Sequence, residues 1–304
     1  MNKILKYLKN PNLILYKLDT LNLIRINDKK YLKTFYKIRM DKELNLDNPK
    51  TFNEKLQWLK LYDKNPEYTK LVDKYEVKKI VSEKIGEEYV IPTLGVWDNF
   101  DEIDFDKLPN EFVLKCTHDS GSVVICTDKT KLDISSIKEK INECLRKNYY
   151  YSGREWPYKN VKPRIIAEKY MRDGENLDLK DYKLMCFNGK VKCSFVCSNR
   201  NSKKGLCVNF YDKEWNPLPF IRYYPKNNIE ADKPLNYEKM IEFAEILAVQ
   251  IPFVRVDFYE VQGKIYFGEM TFYPGGGMER FTPEEWDKRL GDMITLPNEK
   301  SGEK

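Results

Sequence analysis

Two carboxylates near the end of the chain are spaced to hold a divalent cation. Residues 253–259 and 265–273 read as the two arms of a hairpin. With Gln262-Gly263-Lys264 as a three-residue loop, Val261 faces Ile265, and Asp257 then stands opposite Glu269 and Arg255 opposite Thr271. Side chains alternate along a strand, so these four share one face with Phe253, Tyr259, Phe267 and Tyr273. Val254, Val256, Phe258, Gly268 and Met270 make the other, apolar face. Side-by-side carboxylates repel unless a cation separates them. Oxygen donors of this kind suit Mg²⁺, which takes one or two carboxylates and completes its shell with phosphate oxygens and water. The competing reading is a solvated face whose acids pair with Arg255.

Two lysines sit where phosphate could meet them. Across Asn188-Gly189 the pairing of 181–187 with 190–197 sets Lys183 opposite Ser194. Leu184, Cys186, Val191, Cys193 and Phe195 then form an apolar face, and Lys183 shares the other with Met185 and Phe187. Lys115 interrupts Phe112-Val113-Leu114 just before Thr117-His118-Asp119-Ser120-Gly121-Ser122. A small, polar, glycine-containing turn can aim backbone N–H groups at phosphate oxygens. His118 and Asp119 stand at its mouth, and His118 reads as a phosphate-side contact. Neither a Walker A sequence nor G-x-G-x-x-G is present.

The elements that must position these groups follow from punctuation and period. Residues 28–62 read as helical with a turn at Leu46-Asp47-Asn48-Pro49, and Thr51 with Glu54 makes a capping box opening 52–62. A helix is expected over 69–84, closed by Gly86. Residues 90–97 read as a strand interrupted by Pro92, and 98–110 as an acidic connector. Beyond that lie strands 111–117, 123–127 and 164–171, helices 135–148 and 236–249, a long aromatic loop at 149–159, and the two hairpins, the first carrying the strong Asn-Gly turn signal. Strands and helices mix irregularly, which argues for α+β. The organisation expected is a basic helical arm over 1–50, a small mostly helical domain over 51–110 and a catalytic domain over 111–300. Strands 112–127 and 164–197 should form one lobe and strands 207–211 and 253–273 the other, with a cleft between.

Composition bounds the rest. The chain has 304 residues, 41% hydrophobic and 13% aromatic, which describes a folded protein of about two domains at roughly 150 residues each. Lys+Arg at 53 against Asp+Glu at 47 leaves +6, a mild excess that suits a phosphate-bearing ligand or an anionic surface without demanding either. Collagen-like, coiled-coil and disulfide-scaffold proteins are excluded. Seven dispersed cysteines read as reduced thiols of a cytoplasmic protein, and Cys193 with Cys197 cannot close a zinc site alone. His118 is the sole histidine, so sites needing a second imidazole are excluded. No apolar run reaches the ~20 residues that span a bilayer. Lys17 and Asp19 interrupt Leu13-Ile14-Leu15-Tyr16, so no signal peptide is read. Residues 1–40 read as an arm packed on the protein, with peripheral contact to the inner face of a membrane as the second reading.

Taken in order, Lys115…Ser120-Gly121-Ser122, Ile166-Ala167-Glu168-Lys169-Tyr170-Met171, Asp181-Tyr182-Lys183…Phe187-Asn188-Gly189 and Arg255-Val256-Asp257-Phe258…Glu269-Met270-Thr271-Phe272-Tyr273-Pro274-Gly275-Gly276 resemble an ATP-grasp enzyme. More narrowly they resemble the TupA-like ATP-grasp family of surface-polysaccharide gene clusters, over roughly residues 30–290. The resemblance implies two α+β lobes clasping ATP. Lys115 and Lys183 would contact its phosphates, with the turn Ser120-Gly121-Ser122 folded over them. Glu168, Lys169, Tyr170 and Met171 would line the adenine, and Glu175 or Asp178 would hold the ribose. Asp257 and Glu269 would bridge Mg²⁺ to the phosphates, with Thr271 where many ATP-grasp ligases place Asn. Arg255, with Lys183, would act on the transferred phosphoryl group. Gly275 and Gly276 would let a substrate carboxylate approach the backbone, and Arg154, in the aromatic loop, would bind substrate as part of a lid.

The activity so implied is ATP-dependent ligation: a carboxylate activated as an acyl phosphate and joined to an amine, with an amino acid or peptide attached to a uronic acid or amino sugar of a surface polysaccharide. Two other classes compete. Asp104-Phe105-Asp106 is a D-x-D arrangement that a nucleotide-sugar glycosyltransferase could use, but it lies in the acidic connector with no Rossmann-like unit before it. A basic aromatic surface could bind single-stranded nucleic acid, yet the opposed acids at 257 and 269 would repel phosphate without a metal, so no nucleic-acid partner is expected.

Overall fold

Caps and breakers set the first helices. The computed structural model describes residues 12–20, 23–173, 179–198 and 205–297. Helix α1 (Asn12–Thr20) precedes α2 (Asp28–Met40), which Asn27 caps by accepting from the Lys30 N–H. Helix α3 (Phe52–Tyr62) opens on the expected capping box: Glu54 N–H donates to Thr51 Oγ1 at 3.2 Å, and Thr51 N–H donates to Glu54 Oε2 at 3.0 Å. The single helix expected over 69–84 is two, α4 (Glu67–Val72) and α5 (Glu76–Ile85). Asp73 is the reason: its Oδ1 accepts from the N–H of Tyr75 at 2.9 Å and of Glu76 at 3.3 Å, offering the backbone an alternative to the helical ladder. The break frees the Lys74 N–H to donate to Thr117 O at 3.1 Å, which ties this segment to the polar turn.

Strands β1 (Thr93–Trp97), β2 (Phe112–Cys116), β3 (Val124–Cys126) and β4 (Ile165–Lys169) form an antiparallel sheet in the order β1-β4-β2-β3. Helix α6 (Ile134–Leu145) packs on it, and Phe112, Leu114, Cys116, Ile141, Ile165 and Ala167 belong to its apolar core. A second sheet uses β5 (Asp181–Phe187), β6 (Lys190–Ser198) and β7 (Cys207–Asp212). After β8 (Ile221–Arg222) and α7 (Tyr237–Leu247) it is completed by β9 (Phe253–Val261) and β10 (Lys264–Thr271), in the order β10-β9-β5-β6-β7. Strand β11 (Phe281–Thr282) pairs with β8, and α8 (Glu285–Asp292) follows. The architecture is therefore α+β with two lobes, each around its own core. The hairpin 181–197 was expected in the first lobe; it lies in the second, and that makes β5 the neighbour of β9.

The second sheet is covered on both faces. Leu184, Cys186, Val254, Val256 and Phe258 are essentially inaccessible and share a core with Met240 and Ala244 of α7. Each such side chain contributes roughly 1.5–3 kcal/mol by leaving water. On the opposite face Phe52 of α3 meets Phe253 edge-on at 4.8 Å between centroids, with Phe187 at 6.1 Å. Helix α3 thus seals one end of that face and leaves the end carrying Lys183 and Asp257 to polar groups. Among the described residues no helix is long and apolar enough to cross a membrane.

Candidate active site

The expected acidic pair is present, through a different turn. Gln262 and Gly263, with φ 51° and 73°, form a two-residue turn that pairs Val261 with Lys264. A bulge at Gly268 then shifts the register by one, so that Asp257 faces Glu269 and Arg255 faces Thr271. A bulge places two residues of one strand against one of its partner, and here it restores the register that a three-residue loop would have set. Phe267 lies before the bulge, opposite Phe258, so it joins the core face rather than the polar one. A second shift between Met185 and Cys186 corrects the other hairpin: Lys183 faces Phe195, not Ser194, and Cys193 faces Met185. Cys193 and Phe195 therefore share the face of Lys183, beneath the polar cluster.

With β5 beside β9, Lys183 pairs in register with Asp257. One row across three strands thus reads Lys183, Asp257, Glu269, and the next reads Met185, Arg255, Thr271. The guanidinium of Arg255 bridges the rows. Its Nε donates to Asp257 Oδ1 at 2.6 Å, and its Nη2 donates to Asp257 Oδ2 at 2.6 Å, Glu269 Oε1 at 2.7 Å and Thr271 Oγ1 at 2.9 Å. Lys183 is ion-paired with Asp257 and, at 2.6 Å, with Asp181. Burial drives the Asp257 carboxyl up despite Arg255 and Lys183. Burial acts the same way on Glu269, but Arg255, Lys183 and Lys74 prevail and hold it down at about 2. The Glu269 side chain is 45% exposed, against 1% for Asp257.

Further cations come from β2 of the first lobe (Lys115) and from the α4–α5 segment (Lys74, Lys78), whose Val72 and Val77 belong to the core of the second lobe. Lys115 Nζ lies 2.5 Å from Glu168 Oε2, and Lys78 Nζ lies 2.7 Å from Glu168 Oε1. Burial opposes ionisation of Glu168, but the two ammonium groups hold its carboxyl below the usual range. Lys74 donates to the carbonyl of Asp119 and is close enough to lower Glu269, so the polar turn and the carboxylate row face one another. Ser122 closes that turn from inside: its Oγ accepts from Cys116 N–H at 2.8 Å and donates to Asp119 Oδ1 at 2.6 Å. Ser120 and Gly121 are exposed at the tip, Gly121 with φ 111°.

Helix α3 braces the glycine run. Gly275, Gly276 and Gly277 have φ 61°, 65° and 62°, a left-handed backbone that L residues adopt at a cost. Asn53 Nδ2 donates to Glu279 O at 2.9 Å, Gln57 Nε2 to Gly277 O at 2.7 Å and Lys60 Nζ to Gly276 O at 2.7 Å. These residues are four and three apart, one stripe of the helix. A Cβ on Gly277 would lie 2.8 Å from Leu56 Cβ, whereas one on Gly276 meets nothing within 4 Å. Gly276→Ala is therefore expected to cost about 1–3 kcal/mol in urea unfolding, from strain at positive φ alone, and Gly277→Ala, with the same strain and a Cβ against Leu56, should cost more.

Several expected site residues lie elsewhere. The ring of His118 is 2% exposed and not at the mouth of the turn: Nε2 is 3.2 Å from Cys144 O and 3.1 Å from Lys147 O, at the C-terminal end of α6, and burial lowers its pKa. Arg154 is 1% exposed and faces away from the cleft, ion-paired with Asp19 and, at 2.8 Å, with Asp28, with Tyr31 4.1 Å from its Cζ. Helix α1 and α2 thus hold the aromatic loop. On β4, Glu168 is committed to the two lysines, Lys169 is exposed, and Tyr170 and Met171 are half-buried beyond the strand end. Glu175 and Asp178 lie outside the described residues. Asp104 caps a short helical turn, accepting from Asp106 N–H at 3.1 Å. Sequence reasoning missed Lys60, Lys74, Lys78 and Asp181. The stripe Asn53, Gln57, Lys60 and the Asp73…Glu76 break were the available signals.

The donor set fits Mg²⁺ in kind. Asp257, Glu269 and Thr271 offer hard oxygen atoms, and around them two cations, Lys183 and Arg255, face three carboxylates with Asp181 included. Among the described residues no three His, Cys, Asp or Glu side chains converge as a metal-holding group, so the protein alone makes no cage. That is the ordinary situation for an ion that shares its shell with phosphate.

The sequence model of the TupA-like ATPgrasp family matches residues 54–295. No curated protein matches the chain. Among solved structures, the D-alanine–D-alanine ligase of Bacillus anthracis complexed with ATP aligns at 17% identity and TM-score 0.45, over 74% of this chain and 64% of that one. The D-alanyl-alanine synthetase A of Vibrio cholerae aligns at 12% and 0.43, over 79% and 62%. The ATP-grasp ligase PsnB with its minimal precursor aligns at 8% and 0.38, over 69% and 55%. The chain spans between about half and two thirds of the length of these three proteins.

Proposed function

Because the chain belongs to the TupA-like ATP-grasp family, we propose that it is an ATP-dependent ligase that activates a carboxylate as an acyl phosphate and joins it to an amine, releasing ADP and phosphate. The observation that carries this reading is the row Lys183, Asp257, Glu269 bridged by Arg255, with Lys74 between it and the polar turn of the other lobe. A carboxylate cannot expel oxide, so its oxygen first attacks the γ-phosphorus of ATP. The amine nitrogen then attacks the acyl carbon and phosphate leaves. Lys183, Arg255, Lys74 and Lys115 supply the positive field in which phosphoryl charge is held, and such preorganised charge is the main catalytic resource in this kind of transfer. Glu269 and Asp257, with Thr271, would hold Mg²⁺, which when bound neutralises phosphate charge and fixes the phosphate's orientation. The β4 end, Lys169 to Met171, is proposed to line the base, with Glu168 holding Lys115 and Lys78 beside it and Ser120, Gly121 and Ser122 over the phosphates.

The substrates proposed are an amino acid or short peptide and a uronic acid or amino sugar of a surface glycan. A cytoplasmic enzyme with residues 1–40 against an inner membrane face would suit such an acceptor, and Ile14 and Leu15, both nearly half exposed on α1, support that placement. The test is ADP release across a panel of uronic acids and amino acids with ATP and Mg²⁺. Release that needs both a carboxylate and the metal, and that falls at least 100-fold in Lys183→Ala, is the expected result. A nucleoside diphosphate released from a sugar donor with ATP absent would instead support glycosyl transfer.

A further inference from the structure

A buried pair of opposite charges lies beside the carboxylate row and is not joined. Glu155 is 7% exposed and Lys60 is 2% exposed. Among the described residues the Glu155 carboxylate has no hydrogen bond or ion pair, and the Lys60 ammonium spends one donor on Gly276 O, with Tyr273 5.4 Å below it. Buried charges are ordinarily paired at contact distance, because an unpaired one carries a large desolvation penalty. These two influence each other without touching: burial pulls the ammonium down and pushes the carboxyl up, and each charge offsets the other's shift.

The pair adjoins the catalytic cluster. The phenols of Tyr149 and Tyr158 stand edge to face at 4.8 Å. Both respond to the charges of Glu155 and Glu269, and Tyr158 also to that of Arg255. Glu155 thus stands on the aromatic loop and Lys60 on α3, hydrogen-bonded to the open backbone of Gly276, and Tyr149 and Tyr158 sense the charges of both Glu155 and Glu269.

Resting on the ligase reading above, we propose that Glu155 and Lys60 form the acceptor subsite and take a zwitterionic α-amino acid, its ammonium on Glu155 and its carboxylate on Lys60, and that Glu155 is the base for amide formation. The stoichiometry is complete. The ammonium gives one proton to the Glu155 carboxylate, and the freed lone pair forms the C–N bond at the acyl carbon. The bond between the acyl carbon and the oxygen it shares with phosphorus breaks, and the departing phosphate carries away the second proton lost by nitrogen. A carboxylate raised by burial is a stronger base than one in water, which suits the step. Tyr31, Tyr149, Tyr158, Tyr273 and Lys60 are the titratable groups that sense its charge.

The experiment compares two nucleophiles on the full-length enzyme with Mg²⁺ and ATP, over the uronic acid panel. Hydroxylamine is unprotonated at neutral pH and needs no base; an amino acid arrives as its ammonium form. Glu155→Gln is expected to lose amide formation at least 100-fold and hydroxamate formation far less, so that the hydroxamate-to-amide ratio rises at least ~30-fold, and Glu155→Asp to shift that ratio less. The methyl ester of the preferred amino acid should lose at least tenfold in kcat/KM on the wild type. Parallel loss of both products in Glu155→Gln with an unchanged circular dichroism spectrum, or amide formation undiminished, overturns the subsite while the ligase reading stands. A wild type that forms neither hydroxamate nor ADP from any carboxylate removes the ligase reading and this proposal with it.

Discussion

Glu269→Gln is expected to fold and to lose metal-dependent ADP formation by several orders of magnitude. The side chain keeps its shape, its contact with Arg255 Nη2 and its place opposite Asp257; what goes is one anionic oxygen ligand. Charge stabilisation of a transferring phosphoryl group by metal is worth several kcal/mol in the transition state, and each ~1.4 kcal/mol is a factor of ten in rate. From the sequence, relief of two adjacent acids would predict a more stable variant. The structure reverses that sign. Arg255, Lys183 and Lys74 hold Glu269 down at about 2, so the ionised group stabilises the fold. A carboxyl depressed in the folded state contributes stability above its unfolded value, near 4.5 here, and loses it as pH falls towards 2. The variant should therefore be slightly less stable at neutral pH, and its urea midpoint should fall less steeply than the wild type's below about pH 4.5. Unaltered turnover in a folded Glu269→Gln protein would remove the metal site and the case for phosphoryl transfer through it.

What could be read in advance follows the range of the physics. The face shared by Arg255, Asp257, Glu269 and Thr271 was legible because strand alternation is local and has period two. The pairing was legible only in sum: a two-residue turn plus a bulge at Gly268 gives the same opposition as a three-residue loop. The difference shows at Phe267, which precedes the bulge and lies on the other face. Which strands neighbour which was not legible. The pairing of β5 with β9, which sets Lys183 against Asp257, joins residues more than seventy positions apart, and no local signal encodes it. Residue type misled at His118 and Arg154. A histidine or arginine beside a flexible-looking loop has the chemistry of a ligand contact, and only long-range packing showed the imidazole against the carbonyls at the end of α6 and the guanidinium against Asp19. The stripe Asn53, Gln57, Lys60 was visible as helical spacing, but its meaning depends on carbonyls some two hundred residues away.

That long-range clamp gives the second large effect, in Asp19→Asn. Asp19 is 0% exposed and Arg154 1% exposed. One carboxylate oxygen meets the guanidinium, and the other accepts from Ile26 N–H at 3.0 Å. Removing one member of a buried ion pair leaves the other charge without its partner, at a cost of about 3–5 kcal/mol. Asp28, 2.8 Å from Arg154 Nε and 38% exposed in its side chain, retains part of the compensation, so about 3 kcal/mol is expected in urea unfolding of the variant. A buried pair can often be exchanged for apolar groups at little net cost, whereas breaking it is expensive. The double variant Asp19→Asn/Arg154→Met should therefore be more stable than Asp19→Asn alone, a coupling that a double-mutant cycle measures directly. Arg154 holds φ 56° and precedes Glu155 in the chain, so the same clamp fixes the backbone from which Glu155 and Tyr149 reach the cluster. If the two single variants proved additive with the double, Arg154 would not be held by Asp19 as an ion pair, and the arm formed by α1 and α2 would be packing on the loop without positioning it.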